Sequence, residues 1–156
     1  MLLNDSICNK VVLNGIKWEK RSRMFFGQYI HNLDDRGRIS LPKKIRSAVD
    51  SNEVILVKGF EPCIFGYEKR TWEEDSKKEL SNPISSKSSR DLRRYLFSGA
   101  SSEEIDKVGR VLLPVVLKEY AKIKNNVVII GAGDHFEMWD EKIWEEYLAK
   151  IENNNE

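Results

Sequence analysis

The chain has 156 residues, of which 40% are hydrophobic and 33% are charged, and its formal net charge is +1. This composition indicates an ordinary soluble globular protein with one domain or two small ones. No apolar run approaches the roughly 20 residues that span a bilayer, and the N-terminus lacks a signal-peptide core, so we expect a cytoplasmic protein with no membrane partner.

The first 23 residues lie before the first regular pattern of the chain, which Met24 opens. This extension is interpreted as a flexible tail, as a weak extra strand through Val11 to Leu13, or as the product of a start codon assigned too far upstream. We expect residues 1–23 to be disordered.

A nine-residue motif occurs twice in the chain. Residues 34–42 read DDRGRISLP, and residues 106–114 read DKVGRVLLP, an offset of 72 positions. Further pairs of residues keep this offset, among them Gly27 with Gly99, Tyr67 with Trp139, and Trp72 with Trp144. The sequence therefore predicts two similar repeats of about 45 residues, each too small for a stable core of its own, which share a core by packing or interleaving.

The first repeat is expected to begin with a hairpin. Residues 25–33 have strand character, residues 34–37 are turn formers, and the residues from Arg38 onward alternate as a return strand. Gly37, like Gly109 in the second repeat, is expected to adopt a positive φ that a residue with a Cβ would resist. Alternation buries Ile39 and Leu41 and directs Arg38 toward solvent.

A short helix and two more strands follow in each repeat. Pro42 and Pro114 suit the first turn of helices near residues 42–49 and 114–121. The inward side chains of these helices are predicted to be Ile45, Ala48 and Val49, and then Val115, Leu117, Tyr120 and Ala121. The strands are predicted near residues 54–57 and 64–67, and near residues 127–130 and 136–139.

A longer helix is predicted to leave each repeat. Thr71 and Glu74 have the spacing of a capping box in the first, and Asp140 is the expected cap of the second. A serine-rich break and a helix over residues 89–97 lead to the second repeat. The predicted units are an extension (1–23), a first repeat (28–70), a helical linker (71–99), a second repeat (100–143) and a C-terminal helix and tail (144–156).

Charge is distributed unevenly along the chain. Residues 20–46 contain eight cationic and two acidic residues, whereas residues 137–156 contain seven acidic and two basic ones. The chain has no phosphate-loop, zinc-protease or serine-hydrolase motif and no cysteine pattern of a metal site, so we expect no enzyme, metal or cofactor. Asp34 and Asp106 are interpreted as turn carboxylates rather than as an acid–base pair.

The repeated arginine points to nucleic acid. A guanidinium held at a rigid hairpin tip suits a phosphate group or the O6 and N7 atoms of guanine. The residues predicted to bind DNA are Arg36, Arg38, Lys43, Lys44, Arg46, Lys107 and Arg110. Asp34, Gly37, Asp106 and Gly109 are predicted to shape the two turns. In the alternative interpretation, the arginines only close the turns of a protein-interaction scaffold.

Three segments resemble MraZ, a family of bacterial transcriptional regulators of the SpoVT-AbrB swapped-hairpin class. They are MFFGQYIHNLDDRGRISLPKKIR from Met24, the second DKVGRVLLP, and GDHFEMWDEKIWEEY near the C-terminus. The resemblance covers about residues 24–150. It implies an α+β, mainly β fold, in which two interleaved AbrB-like repeats form a double swapped-hairpin β-barrel with peripheral helices.

The resemblance also implies a function. Members of the family form rings of identical subunits, associate with the nucleoid and bind direct repeats in DNA upstream of the division and cell-wall gene cluster, which they usually repress. The DNA-contacting arginine of the family maps onto Arg38, with Arg110 as its equivalent in the second repeat. We therefore expect double-stranded DNA and further copies of the chain as partners, and no small-molecule substrate. Asp35, inside the first tip, departs from the family pattern.

Overall fold

The protein is α+β and mainly sheet, as the sequence predicts. The computed structural model describes residues 10–13, 16–19 and 24–154. The strands are β1 (Lys10–Leu13), β2 (Ile16–Glu19), β3 (Gln28–Asn32), β4 (Arg38–Ser40), β5 (Glu53–Lys58), β6 (Ile64–Glu68), β7 (Ser101–Glu104), β8 (Arg110–Leu112), β9 (Asn126–Gly131) and β10 (Phe136–Asp140). The helices are α1 (Lys43–Arg46), α2 (Lys69–Leu80), α3 (Lys87–Ser98), α4 (Val115–Tyr120) and α5 (Glu141–Asn153).

Strands of both repeats combine in one six-stranded antiparallel sheet. Its order is β3-β9-β10-β6-β5-β7, so each repeat lends its first strand to the other repeat. β4 and β8 form a separate two-stranded ribbon, in which Ile39 lies opposite Val111. In the described part of the chain, no ladder joins the sheet and the ribbon into a closed barrel. The two repeats are thus interleaved, as their small size requires.

The predicted hairpin between the first two strands of the repeat is wrong in its pairing. β3 and β4 do turn about residues 34–37, but β3 pairs with β9 and β4 pairs with β8. These pairings bring the apolar faces of both repeats into one core. Ile39 and Val111, which meet across the ribbon, are completely buried.

Apolar clusters cover both faces of the sheet. Val54 and Leu56 face the cluster beneath the ribbon and the short helices, whereas Ile55 and Val57 face a second cluster with Trp144 of α5. Because both faces of β5 are buried, its sequence is a continuous apolar run and does not alternate between apolar and polar residues. Trp72 and Trp144 both pack on the second cluster.

The helix starts differ by one to three residues from those predicted. Pro42 and Pro114 are not in the first turn but immediately before it, where their extended backbone (ψ 147° and 137°) turns the chain into α1 and α4. Ile45 and Leu117 face inward as expected, but the prediction is wrong for Val115, which is 67% exposed because it lies two residues, about 200° around the helix, from the buried Leu117.

The long helices begin at equivalent carboxylates. Asp140 caps α5 as predicted, since its side chain accepts a hydrogen bond from the Lys142 amide. Glu68, which stands 72 residues earlier, caps α2 by accepting from the amides of Arg70 and Thr71. The predicted cap by Thr71 and Glu74 is wrong because β6 runs directly into the helix, so that the first unpaired amides lie ahead of Thr71.

Within the N-terminal extension, β1 and β2 pair antiparallel with each other. This pairing agrees with the alternative of an extra strand through Val11 to Leu13. The expected disorder of residues 1–9, 14–15 and 20–23 falls outside the described residues. Among the described helices, none has the length and apolar character needed to cross a membrane.

Gly66 offers a test of how closely the two repeats pack. It lies opposite Phe136 in the β6–β10 pairing, and a Cβ built at Gly66 would overlap the Phe136 ring. We expect Gly66→Ala to lower the free energy of unfolding by about 1–3 kcal/mol, the usual cost of overpacking a core. Denaturant unfolding measures this change.

Gly99→Ala is the matched control for that measurement. A Cβ at Gly99 would have its nearest heavy atom, the Tyr95 carbonyl oxygen, at 3.5 Å. This variant should therefore change the free energy of unfolding by less than about 0.5 kcal/mol. Equal stability of the two variants would show that the contact between Gly66 and Phe136 is looser than the structure has it.

Candidate nucleic-acid interface

The Asp34 carboxylate closes the first hairpin tip. Its Oδ1 accepts hydrogen bonds from the backbone amides of Arg36 (2.9 Å) and Arg38 (2.8 Å), and its Oδ2 accepts one from Nε of Arg38 (2.8 Å). These bonds, first the one from the Arg38 amide, hold the pKa of Asp34 below its usual value. One side chain thus fixes both the turn and the position of the arginine.

The second tip repeats this arrangement. Asp106 accepts from the amides of Val108 (3.0 Å) and Arg110 (2.9 Å), and from Nε of Arg110 (2.8 Å). The hydrogen bond from the Arg110 amide is again the main cause that lowers the pKa of the carboxyl group. Each carboxylate thus accepts hydrogen bonds from two amides of its own turn.

Both turn glycines have the predicted positive φ, 78° at Gly37 and 86° at Gly109. Their surroundings differ. A Cβ at Gly37 would meet no atom within 4 Å, whereas one at Gly109 would collide with the guanidinium of Arg46, whose Nε donates to the Leu41 carbonyl at 3.0 Å. The first tip is open, and the second is covered by an arginine of the first repeat.

The ribbon places the two arginines on one face. Arg38 pairs with Leu112 and Ser40 pairs with Arg110, so these residues lie on the face opposite to the buried Ile39. Nη1 of Arg110 lies 3.9 Å from Oδ2 of Asp34, which links the two tips. The side chains of Arg38 and Arg110 are 26% and 33% exposed.

Arg38 is only partly directed toward solvent, contrary to the simple expectation from alternation. Its Nε edge turns back to Asp34, because a carboxylate that already binds the turn amides lies within reach of that edge. Among the described residues, its two terminal nitrogens have no hydrogen-bond partner. The fork that these nitrogens form is thus the part of Arg38 that is available to another molecule.

The remaining predicted cations lie around the tips with exposed side chains. The structure places Arg36 in the first turn, Lys43, Lys44 and Arg46 on α1, and Lys107 in the second turn. Nζ of Lys44 lies 5.8 Å from the centre of the exposed Phe26 ring. In the described part of the chain, no three acidic, histidine or cysteine side chains converge on a metal site.

The two repeats expose opposite chemistry at equivalent positions. The first repeat exposes Arg36, Ser40, Lys43 and Lys44, and the second exposes Val108, Leu112, Val115 and Val116 at the same offset of 72. We call these the cationic surface and the aliphatic surface. The sequence prediction missed the aliphatic surface, although the repeat offset itself contained the signal.

Comparison with known proteins adds a consistent result. The sequence matches the MraZ family, described as "MraZ protein, putative antitoxin-like", over residues 24–95 and 96–156. The protein named "Transcriptional regulator MraZ" from Roseiflexus castenholzii is 39% identical over 131 residues, which cover 84% of this chain and 91% of the relative.

Two further relatives with that name have similar coverage. The protein from Halothermothrix orenii is 41% identical over 133 residues, 85% of this chain and 92% of its own. That from Leifsonia xyli subsp. xyli is 42% identical over 129 residues, 83% and 90% of the respective chains.

The lowered pKa of the tip carboxyls makes stability depend on pH. Because the folded-state pKa lies below the ordinary value of 3.8, the carboxylates stabilise the fold above that pH, and this contribution is lost as the pH falls through the folded-state pKa. We expect the double variant Asp34→Asn, Asp106→Asn to melt below the wild type at pH 7. The difference in Tm should shrink as the pH falls below 3.8.

Asp35→Asn serves as the control, since Asp35 lies on the same turn with an exposed side chain. It should leave the melting temperature at pH 7 almost unchanged. A deficit of the double variant that is equally large at pH 7 and in strong acid would contradict the role assigned to the two carboxylates.

Proposed function

The chain belongs to the MraZ family, and from that premise we propose that it is a transcriptional regulator that binds double-stranded DNA through its two tips. The relatives carry the name of transcriptional regulators, which makes this a family of regulators and not of enzymes. The observation that carries the proposal is the cationic surface of the first repeat, which surrounds an arginine held in one orientation by Asp34.

The cations divide into two roles. Exposed lysines and arginines neutralise phosphates, a contact that positions a protein on DNA without reading its sequence. This role suits Arg36, Lys43, Lys44, Arg46 and Lys107. Arg38 and Arg110 share one face of the two-stranded ribbon, and a ribbon of this kind fits the major groove, where arginine pairs with guanine.

The hydrogen bond between Arg38 and Asp34 is compatible with recognition of a guanine base by Arg38. It occupies the Nε edge of Arg38 and leaves the fork of terminal nitrogens, which is the part that pairs with O6 and N7 of guanine. Because the bond already restricts the side chain, less conformational entropy is lost when DNA binds. Asp106 gives Arg110 the same restriction.

We also propose that several copies of the chain assemble head to tail into a ring. Such a contact joins two different surfaces, and the chain exposes apolar residues at two places that are not equivalent in the repeats. One comprises Val115 and Val116 of the aliphatic surface, on α4, and the other comprises Met24 and Phe26 before β3 and Ile30 within it. A ring that presents many tips to successive DNA repeats would raise avidity by roughly 10² to 10⁴.

The remaining expectations from the family are part of the same proposal. They are binding to direct repeats upstream of the division and cell-wall gene cluster, repression of that cluster, and a place in the cytoplasm at the nucleoid. The exchange of β3 and β7 between the repeats supports the double swapped-hairpin arrangement.

A second candidate function is a ring-forming scaffold that binds proteins and does not read DNA. The observation in its favour is the ion pair in each tip, since Arg38 and Arg110 both close their own turns through Nε. In this function the arginines would be structural, and the aliphatic surface would be the working surface.

Titration of duplex DNA that contains short direct repeats separates the two functions. We expect affinity to fall with salt, and Lys43→Ala or Lys44→Ala to reduce the logarithmic salt slope by about 1 each, because each removes one phosphate contact. Lys77→Ala, an exposed lysine on α2, is the control and should bind as the wild type does. Absence of binding at every salt concentration would favour the scaffold.

The same titration tests the arginines. Arg38→Ala should lose about 1–3 kcal/mol of binding free energy, as expected for a base contact. Arg110→Ala should lose less, because it lies beside the aliphatic surface. Asp34→Asn retains the guanidinium and should lose less than Arg38→Ala. Unchanged binding in Arg38→Ala, with the fold intact by melting temperature, would remove this residue from the interface.

The assembly is tested by light scattering on the eluting protein. We expect a mass of several chains for the wild type and a lower mass for the double variant Val115→Lys, Val116→Lys, because charges placed in an apolar contact oppose it. Ile84→Lys, at a residue that is also 66% exposed, should leave the mass unchanged. A wild type with the mass of one chain would overturn the ring.

A further inference from the structure

A cavity of about 190 Å³ lies between the sheet, α2 and α3, on the face opposite to the ribbon. Aromatic rings form much of its wall, among them Phe65, Tyr67, Trp72 and Phe97. These rings contact one another in sequence: Tyr67 and Trp72 have centres 5.2 Å apart, and Trp72 and Phe97 have centres 5.8 Å apart. The wall is thus held in place by its own ring contacts.

The equivalent positions in the second repeat carry larger side chains. Trp72 and Trp144 occupy equivalent positions, and three and four residues beyond Trp144 lie Tyr147 and Leu148, which pack on the second cluster. The Tyr147 and Trp139 rings have centres 4.9 Å apart. The first repeat has Asp75 and Ser76 at these two positions, and both line the cavity. At these two positions the cavity wall thus has smaller, polar side chains where the second repeat has a tyrosine and a leucine.

The Ser76 hydroxyl is an unusual feature of the cavity wall. Ser76 is 8% exposed, and its Oγ has no hydrogen-bond partner among the described residues. A buried hydroxyl without a partner costs free energy, which a bound polar group recovers. The position that leucine fills in the second repeat thus offers a hydrogen bond inside an aromatic cavity.

The charge around the cavity is negative. Asp75 and Glu79 on α2 line it together with the rings, and the residues that line it include no lysine or arginine. The cations near the cavity include Lys78, whose Nζ lies 3.4 Å from Asp75 Oδ1 and whose side chain is 80% exposed. They also include Arg93 of α3, whose terminal nitrogen donates to the carbonyls of Leu80 and Asn82. Burial, with the charges of Asp134, Asp75 and Glu137, raises the pKa of Tyr67 to about 12.

We propose that this cavity binds an aromatic amine of one or two rings. Its volume somewhat exceeds the roughly 150 Å³ of an engineered protein cavity that binds benzene, so a ring with a short side chain fits. The ring packs on Trp72 and Phe65, the ammonium group lies near Asp75 and Glu79 and over an aromatic face, and Ser76 bonds to the polar substituent. This ligand site does not depend on the proposed DNA binding.

The site is tested by titrating the full chain with phenethylamine and with tryptamine. Binding is measured by calorimetry and by the rise in melting temperature. We expect saturable binding to the wild type and none to Ser76→Leu, which introduces the residue found at position 148 and closes the cavity. The combined variant Asp75→Asn, Glu79→Gln should weaken binding of either amine about fivefold, as expected for partly exposed charge pairs. It should leave binding of toluene unchanged.

Phenylpropionate, an acid of similar size, is the matched control ligand and should bind at least tenfold more weakly than phenethylamine. The proposal would be overturned if the acid bound as tightly as the amine, or if the amines bound Ser76→Leu as tightly as the wild type. It would also be overturned if neither amine showed saturable binding to the wild type. Should Ser76→Leu fail to fold, the charge variant and the control acid still decide the question. DNA titration of Ser76→Leu, expected to match the wild type, keeps the outcome separate from that of the proposed function.

Discussion

The exchange of strands between the two repeats is the interaction on which the structure depends. Neither repeat is large enough to enclose a core, so β3 pairs with β9, β7 pairs with β5, and β4 pairs with β8. Ile39 and Val111 meet across the ribbon and are completely buried. Loss of either repeat would expose the apolar faces of both, because their buried surfaces face each other.

This exchange also sets the geometry of the tips. Since the return strands pair with each other, the two turns lie side by side, with a nitrogen of Arg110 3.9 Å from the carboxylate of Asp34. Arg46 of the first repeat lies against Gly109 of the second. The tips are therefore one structural unit rather than two independent arms. The carboxylates that close the turns also orient the arginines, so that turn stability and arginine position depend on the same bonds.

The two repeats have similar residues at buried positions and different residues at exposed positions. Buried pairs such as Ile39 and Val111, or Ile45 and Leu117, remain apolar, because a polar side chain there would lose its water without gaining a partner. Exposed pairs carry no such restriction, and lysines of the cationic surface correspond to valines of the aliphatic surface. Ser76 is the exception to this rule, since it is buried without a hydrogen-bond partner at the position where the second repeat has Leu148. With Asp75, which stands where the second repeat has Tyr147, it lines the aromatic cavity.

The sequence by itself determined the features that depend on neighbouring residues: the order of elements, the positive φ of Gly37 and Gly109, the burial of Ile39, and the cap at Asp140. Steric restriction of the backbone and the alternation of side chains are local, so the residue pattern contains them. Only the tertiary structure decided which strands pair, that Arg38 turns its Nε to Asp34, and that Arg46 covers the other tip. Several strands have similar apolar patterns and compete for the same partners, and the outcome depends on burial summed over the whole core.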